Sequence, residues 1–311
     1  MNRRQKRELN ELLGDRVRWD VSMAEYSTFR AGGRAEALAD VDTVECLQAL
    51  VRWLRTNDVA WRIIGRGSNI LVSEQGFAGV IVRLQDALAG VARGHEPDCT
   101  GPGPVTVRAG GGCSMARLLA WCTAHSLSGL EFLAGIPGSV GGGVRMNAGA
   151  WGQAMGERLQ ALQVLDGEGG LRRLEAAELR FSYRRLELDG QDPDRMIIVT
   201  AWFGLERGRQ AEIVARCRGY LARRREKQPA GVGSAGSFFK NPAGDYAGRL
   251  IEAAGLKGLT RGDAMVSPRH ANFIVNTGRA TADDIAALMV EVQERVYRDS
   301  GIRLEPEVCI F

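Results

Sequence analysis

The sequence predicts an α+β fold, on three observations. Amphipathic helical stripes and short apolar runs alternate over residues 20–85. Strand-like runs dominate from about 105 to 203. Long helical stripes then return in the last third, around a polar loop at 236–242. At 311 residues and 33.8 kDa the chain is long enough for two or three domains and a sizeable core.

In chain order, residues 1–18 read as a polar, partly helical extension. Val44, Leu47, Leu50, Val51 and Leu54 recur at helical spacing behind the capping pair Asp42-Thr43. The runs 61–64 and 80–84 read as strands, and turn chemistry makes 94–104 a loop. A strand at 105–108 is followed by a helix behind Ser114, carrying Met115, Leu118, Leu119 and Cys122. Strands are expected at 144–146, 162–165 and 196–203. From Gln210 a helix with Val214, Cys217 and Leu221 on one stripe runs toward Gln228-Pro229, and a domain boundary is placed at 207–210. Thr281 caps a strong helix (Ile285, Leu288, Met289, Val292, Val296), with Asp284 at the capping-box position, and a last strand is expected at 304–311.

Composition narrows the chemistry. A net charge of +4 suits an acidic small molecule and is too mild to argue for nucleic acid. No apolar run approaches the ~20 residues of a membrane span. The charged N-terminus lacks the hydrophobic stretch of a secretory signal, so a cytoplasmic protein is expected. The six cysteines form no C-x-x-C pair and are expected to be reduced, buried and small-apolar in role. Three scattered histidines supply neither a metal site nor a Ser-His-Asp triad, and no metal is expected.

Two glycine-rich loops suit phosphate. Gly65, Arg66, Gly67, Ser68 and Asn69 follow a strand, where small residues can aim backbone N–H groups at an anion. A plain turn between strands explains them too. The loop 135–143, with Gly135, Pro137, Gly138, Ser139 and Gly142, carries more glycine than a core element tolerates, and close packing against a flat, phosphorylated cofactor accounts for it better. Neither loop is a G-x-G-x-x-G fingerprint, since Ile70 holds the third glycine position, and the dipeptide Gly-Lys of a Walker A motif is absent.

Residues 236–242 (Gly-Ser-Phe-Phe-Lys-Asn-Pro) pack a hydroxyl, an ammonium and a carboxamide around two aromatics. Upstream lies the basic run 223–227, part of which is the ordinary cationic end of a helix. Four lysines occur among 41 basic residues, and Lys227, Lys240 and Lys257 fall in the last third. Taken locally, Ser237 is equally a turn hydroxyl, Arg184 a surface arginine and His270 a core residue.

The order of motifs goes further. Ser-Thr-Phe-Arg-Ala-Gly-Gly at 27–33, the loops at 65–69 and 135–142, Ser-Tyr-Arg at 182–184, the 236–242 motif, His-Ala-Asn-Phe-Ile-Val-Asn at 270–276 and Leu-Glu-Pro-Glu-Val at 304–308 follow one another. This series closely resembles the UDP-N-acetylenolpyruvoylglucosamine reductase family, over residues 20–311. The resemblance implies FAD held non-covalently in a two-subdomain module of the vanillyl-alcohol-oxidase type (20–85 and 86–208), and an α+β substrate-binding domain (209–311). It implies NADPH as reductant and an enolpyruvyl UDP-sugar as substrate, in a monomer with small-molecule partners only.

The same resemblance assigns FAD contacts to Gly110, Asn147 and Ala148 besides the two loops. Arg184 would grip the substrate carboxylate, Ser237 protonate the α-carbon, and a carboxylate of 304–308 assist. Glu307 is preferred and Glu305 stays open. Tyr183, Arg225, Lys227, Lys240, Asn241, Lys257 and His270 are the expected substrate contacts. Ser27 stands where the family often has Asn, and the short interval from 237 to 307 matches the branch without an inserted tyrosine loop. Two rivals remain: another flavin enzyme acting on a hydroxy acid or lactone, and a non-catalytic UDP-sugar-binding module.

Overall fold

A computed structural model describes residues 1–94, 103–187 and 196–311. Most of the loop expected at 94–104, with His95 and Cys99, therefore lies outside the described residues. The chain forms two units. One gathers Met1–Arg18, Ala37–Gly65 and Gly79–Ala222; the other gathers Trp19–Glu36, Arg66–Ala78 and Arg223–Phe311.

In the first unit the helix Arg3–Leu13 starts at a reciprocal cap between Asn2 and Gln5. It buries Leu9 and Leu13, and Trp53 Nε1 donates to Glu8 at 3.0 Å. The helix Val44–Thr56 follows its expected cap, Thr43, whose side chain accepts the Cys46 N–H. Trp61–Ile63 runs parallel to the strand Phe77–Leu84, which carries on the sheet of Val17–Ser22 and Arg34–Val41.

A larger sheet orders Leu171–Glu175, Leu159–Leu165, Ile197–Arg207, Val105–Gly110 and Val91–Arg93 side by side. Helix Met115–Ala124 starts behind Ser114 as expected, is capped by its side chain, and adds Leu118 to a core with Val107, Phe132, Leu162 and Phe203. Burying each such side chain contributes about 1.5–3 kcal/mol.

One expected strand is a helix. Residues 144–146 belong to Val140–Arg145 and its C-cap, because the Ser139 hydroxyl accepts the Gly142 N–H and starts a helical turn. Val-Arg-Met alone could not reveal that turn. The helix Gln210–Lys227 buries Ile213 fully, while the predicted stripe of Val214, Cys217 and Leu221 is half-buried.

In the second unit Thr281 and Asp284 form the expected capping box of Ala282–Ser300, and Gly301 ends that helix at φ 70°. Ile285, Leu288 and Val292 pack with Phe29, Phe238 and Phe239 beside the sheet Gly233–Ser234, Ile274–Asn276, Ala264–Val266 and Thr260–Arg261. The strand expected over 304–311 shrinks to an isolated bridge between Phe239 and Pro306 and the pair Cys309–Ile310, which runs parallel to Ile70–Leu71. Proline has no N–H to extend a ladder. Cys113 and Cys122 are buried, and burial pushes the Cys122 thiol up to about 12. Cys309 departs from expectation: it is exposed, on a two-residue strand at the chain's end.

An ion pair anchors the first unit's part of helix Gln210–Lys227. Glu131 is 5% exposed; Arg216 Nη2 donates to its Oε1 at 2.7 Å and the Gly129 N–H to its Oε2 at 2.8 Å. Burial works to raise the Glu131 pKa, but the Arg216, backbone and Ser128 hydrogen bonds outweigh it and hold the carboxyl below its ordinary value. The Arg216 side chain is 44% exposed, so Arg216→Ala is expected to lower stability by only about 2 kcal/mol at neutral pH. A depressed folded pKa stabilises above the unfolded value, ~4.3, and this is lost as pH falls through the folded one. Thermal unfolding of both proteins should therefore converge in acid; an equal gap at pH 3 and 7 would contradict this reading.

Candidate active site

Each unit carries part of the expected site. In the first, hydrogen bonds lay the second glycine loop beside residues 111–115: Met115 N–H to Gly138 O at 3.1 Å, Val140 N–H to Cys113 O at 2.7 Å, and Gly141 N–H to Gly111 O at 2.8 Å. Much of the glycine serves this chain-on-chain approach. A Cβ on Gly110 would sit 2.2 Å from Leu88 O, and one on Gly111 1.9 Å from Ile198 O. The two loops also meet, since a Cβ on Gly65 would lie 2.2 Å from Ser139 Oγ. Gly135 and Gly138 take φ of 78° and 130°, which glycine alone adopts cheaply.

The outer face of these loops is different. Gly65, Gly135, Pro137 and Gly142 are exposed, as is Arg66 in the second unit, and a Cβ on Gly142 would meet only Ser139 Oγ, at 3.4 Å. Backbone uncovered on one side and packed on the other lets a flat, phosphorylated group come close. That donor set fits FAD.

Asn147, in the left-handed region at φ 40°, links this region to the Ser-Tyr-Arg motif. Its Nδ2 donates to Ser182 O at 3.2 Å, and its Oδ1 accepts the Gly156 N–H at 3.0 Å. The buried Ala148 donates its N–H to Gly143 O. Tyr183 and Arg184 form the tip of the hairpin made by Arg180–Ser182 and Arg185–Glu187. Tyr183 is exposed; Arg184 is half-buried, its Nε out of solvent, at φ 59°. A non-glycine residue held in that region costs about 1 kcal/mol or more, a pattern common at functional sites.

In the second unit the 236–242 motif is pinned from both sides. The Phe238 N–H donates to Asn272 O at 2.8 Å, and the Glu307 N–H donates to Phe238 O at 2.8 Å. Lys240 N–H donates to Glu305 O at 2.9 Å. The chain thereby runs 237–240 alongside 305–307 and brings Ser237 and Glu307 into one neighbourhood. Asn69 Nδ2 donates to Glu307 O at 3.0 Å and Asn69 O accepts the Cys309 N–H, which adds the end of the first glycine loop. Thr28 donates both N–H and Oγ1 to Gly67 O, so Ser-Thr-Phe-Arg supports that loop.

The two carboxylates differ. Glu305 has a 75% exposed side chain paired with Lys240 Nζ at 3.3 Å, whereas Glu307 is half-buried with Oε2 out of solvent. Lys257 pairs with Glu252 at 2.6 Å, so two of the expected diphosphate lysines already face carboxylates. Asn241 Oδ1 accepts the Ala247 N–H at 3.1 Å. His270 Nδ1 accepts the Asn272 N–H at 3.2 Å, which leaves Nε2 as the protonated nitrogen of the neutral ring. Burial lowers the His270 pKa, with Lys257 nearby acting the same way. Arg225 and Lys227 are exposed at a helix end, which Arg269 Nε ties down through Glu226 O at 3.0 Å.

Sequence reasoning left Thr28, Asn272 and Asn276 without roles. Asn276 Nδ2 donates to Phe29 O at 2.9 Å, and its Oδ1 accepts the Gly278 and Ala280 N–H groups. Their only signal was membership of the motifs at 27–33 and 270–276.

Known proteins match this layout. A family model described as FAD binding domain matches residues 35–175, and one described as UDP-N-acetylenolpyruvoylglucosamine reductase, C-terminal domain, matches 228–311. Fold and site thus define an α+β flavoprotein with an FAD-binding module and a C-terminal domain. The reductase of that name from Syntrophus aciditrophicus is 41% identical over 98% of this chain and 95% of its own length. That from Anoxybacillus flavithermus is 40% identical over 94% of each. The crystal structure of UDP-N-acetylenolpyruvylglucosamine reductase from Thermus caldophilus superposes with a TM-score of 0.78 at 35% identity, covering 95% of this chain and 99% of that one. The chain belongs to the UDP-N-acetylenolpyruvoylglucosamine reductase family.

The contact between Gly65 and Ser139 is open to test by flavin content. Gly65→Ala should purify with several-fold less bound flavin, and adding Ser139→Gly should restore part of it by removing the overlapping atoms. Full occupancy in Gly65→Ala would show that the loops need not touch.

Proposed function

We propose that this chain is the FAD-dependent, NADPH-driven reductase that converts UDP-N-acetylglucosamine enolpyruvate to UDP-N-acetylmuramate in peptidoglycan precursor synthesis. The enzyme class and cofactors are those of its family. Among the described residues no helix is long and apolar enough to cross a membrane. We take the protein to act in the cytoplasm as a monomer, on small molecules, with neither nucleic acid nor membrane as a partner. Its working parts are an N-terminal extension (1–19), two FAD-binding subdomains (20–85, 86–208) and a substrate domain (209–311).

The observation that carries this reading is the backbone pairing that sets Ser237 beside Glu307. Bound FAD supplies the hydride chemistry, and NADPH the reducing equivalents. Gly65 to Asn69, Gly110, Gly135 to Ser139, Gly142, Asn147 and Ala148 would hold the cofactor. Arg184 meets the substrate carboxylate, where a permanently charged guanidinium can donate two parallel hydrogen bonds and steady the charge that builds there. Ser237 holds the proton delivered to the neighbouring α-carbon, and general-acid help of this kind is worth about 10²–10⁴-fold.

Glu307 is the assisting carboxylate. Its buried Oε2 contrasts with the solvated, lysine-paired Glu305. Lys240 and Asn241, with Arg225, Lys227, Lys257, His270 and Tyr183, would receive the UDP-sugar. The pairs Lys240–Glu305 and Lys257–Glu252 are solvent-exposed and weak, so a diphosphate can compete for either lysine.

Anaerobic NADPH should bleach the flavin of the wild type and of Ser237→Ala alike. The enolpyruvyl nucleotide should then restore the colour rapidly in the wild type and at least about 100-fold more slowly in Ser237→Ala. Glu307→Gln should also slow that second step, and Glu305→Gln should leave it near the wild-type rate. Wild-type turnover by Ser237→Ala, or indifference of the reduced protein to the nucleotide, would overturn the assignment.

A further inference from the structure

Ser237 lies between two very different neighbours. Before it, Gly236 has φ 80° and open space where a Cβ would stand, so it places no restraint on the serine. After it, Phe238 and Phe239 are buried, and every backbone polar group of this pair is taken. Phe238 N–H donates to Asn272 O at 2.8 Å, and Phe238 O accepts the Glu307 N–H at 2.8 Å. Phe239 N–H donates to Asn272 Oδ1 at 2.9 Å, and Phe239 O accepts from Asn272 Nδ2 at 2.8 Å. The serine's position is therefore set from its C-terminal side, and one residue makes most of the bonds that set it.

We infer that Asn272 is a positioning residue for Ser237, acting through the Phe238-Phe239 backbone, an inference that rests on the role proposed above for Ser237. The carboxamide imitates a peptide group, accepting from Phe239 N–H and donating to Phe239 O at once. Aspartate in its place would set a lone pair against the Phe239 carbonyl, and alanine would leave two buried backbone groups unsatisfied. Asn272 is 4% exposed, and its own N–H is held by His270 Nδ1 at 3.2 Å. His270 thereby acts one step further out, as a prop for the clamp. A displacement of about 1 Å at a reacting group can cost about 100-fold in rate, so small slack at Asn272 reaches the chemistry.

The test is a double-mutant cycle on turnover of the FAD-loaded enzyme with the enolpyruvyl nucleotide, alongside thermal unfolding. Asn272→Ala should lower kcat about 30–100-fold, with KM for the nucleotide changed less than about 3-fold. In a Ser237→Ala background the same substitution should cost almost nothing further, because no hydroxyl remains to misplace. If Asn272→Ala does not fold, Asn272→Asp, which keeps the Oδ1 acceptor, carries the same comparison. An equal loss in both backgrounds, or a lowered melting temperature with kcat unchanged, would reduce Asn272 to a structural residue and end the inference. Full activity of Ser237→Ala itself would instead remove the reading of the site on which it rests.

Discussion

The second unit depends on one strip of backbone pairing, residues 238–240 held between Asn272 and residues 305–307. Phe238 and Phe239 anchor it with rings that are 0% and 1% exposed, and buried backbone around such rings must find partners or pay heavily in lost hydration. The partners come from distant parts of the chain. Once they close, the serine before the strip and the glutamate across from it have no independent freedom. The last two glutamates differ in surroundings: Glu305 is turned to water and Lys240, whereas Glu307 has its Oε2 out of solvent.

The first unit solves a different problem with different means. Its glycines let backbone lie against backbone where a methyl group would overlap a carbonyl oxygen, as at Gly110 and Gly111. Close approach on the inner side leaves an uncovered outer face, and that face suits a planar, phosphorylated cofactor. Asn147, Trp151 and Arg184 are among the non-glycine residues of this unit that hold left-handed backbone. Asn147 reaches from one such turn to the hairpin that bears another, so the strain is shared within a single cluster.

Local signals in the sequence predicted local structure well. Helices start where expected behind Asp42-Thr43, Ser114 and Thr281, because a capping side chain and the apolar period lie within a few residues of each other. The motif series led to the family, and the comparisons bear that out. Residues 144–146 misled because Val-Arg-Met after a run of glycines is too short to show a helical period. The terminal strand was overdrawn because Pro306 interrupts it. The roles of Asn272 and Asn276 were illegible for a plainer reason: their partners lie 33 and 247 residues away, and nothing local announces such bonds.

Ser237 and Glu307, brought together by the paired 238–240 and 305–307 backbone, are proposed to act as one unit on the proton-transfer step. Comparing kcat/KM for Ser237→Ala, Glu307→Gln and the combined variant tests this most directly. Action as one unit predicts that the combined loss falls well short of the product of the single losses, with a coupling above about 1 kcal/mol. Losses that multiply cleanly would show two groups working on separate things, and the account would fail.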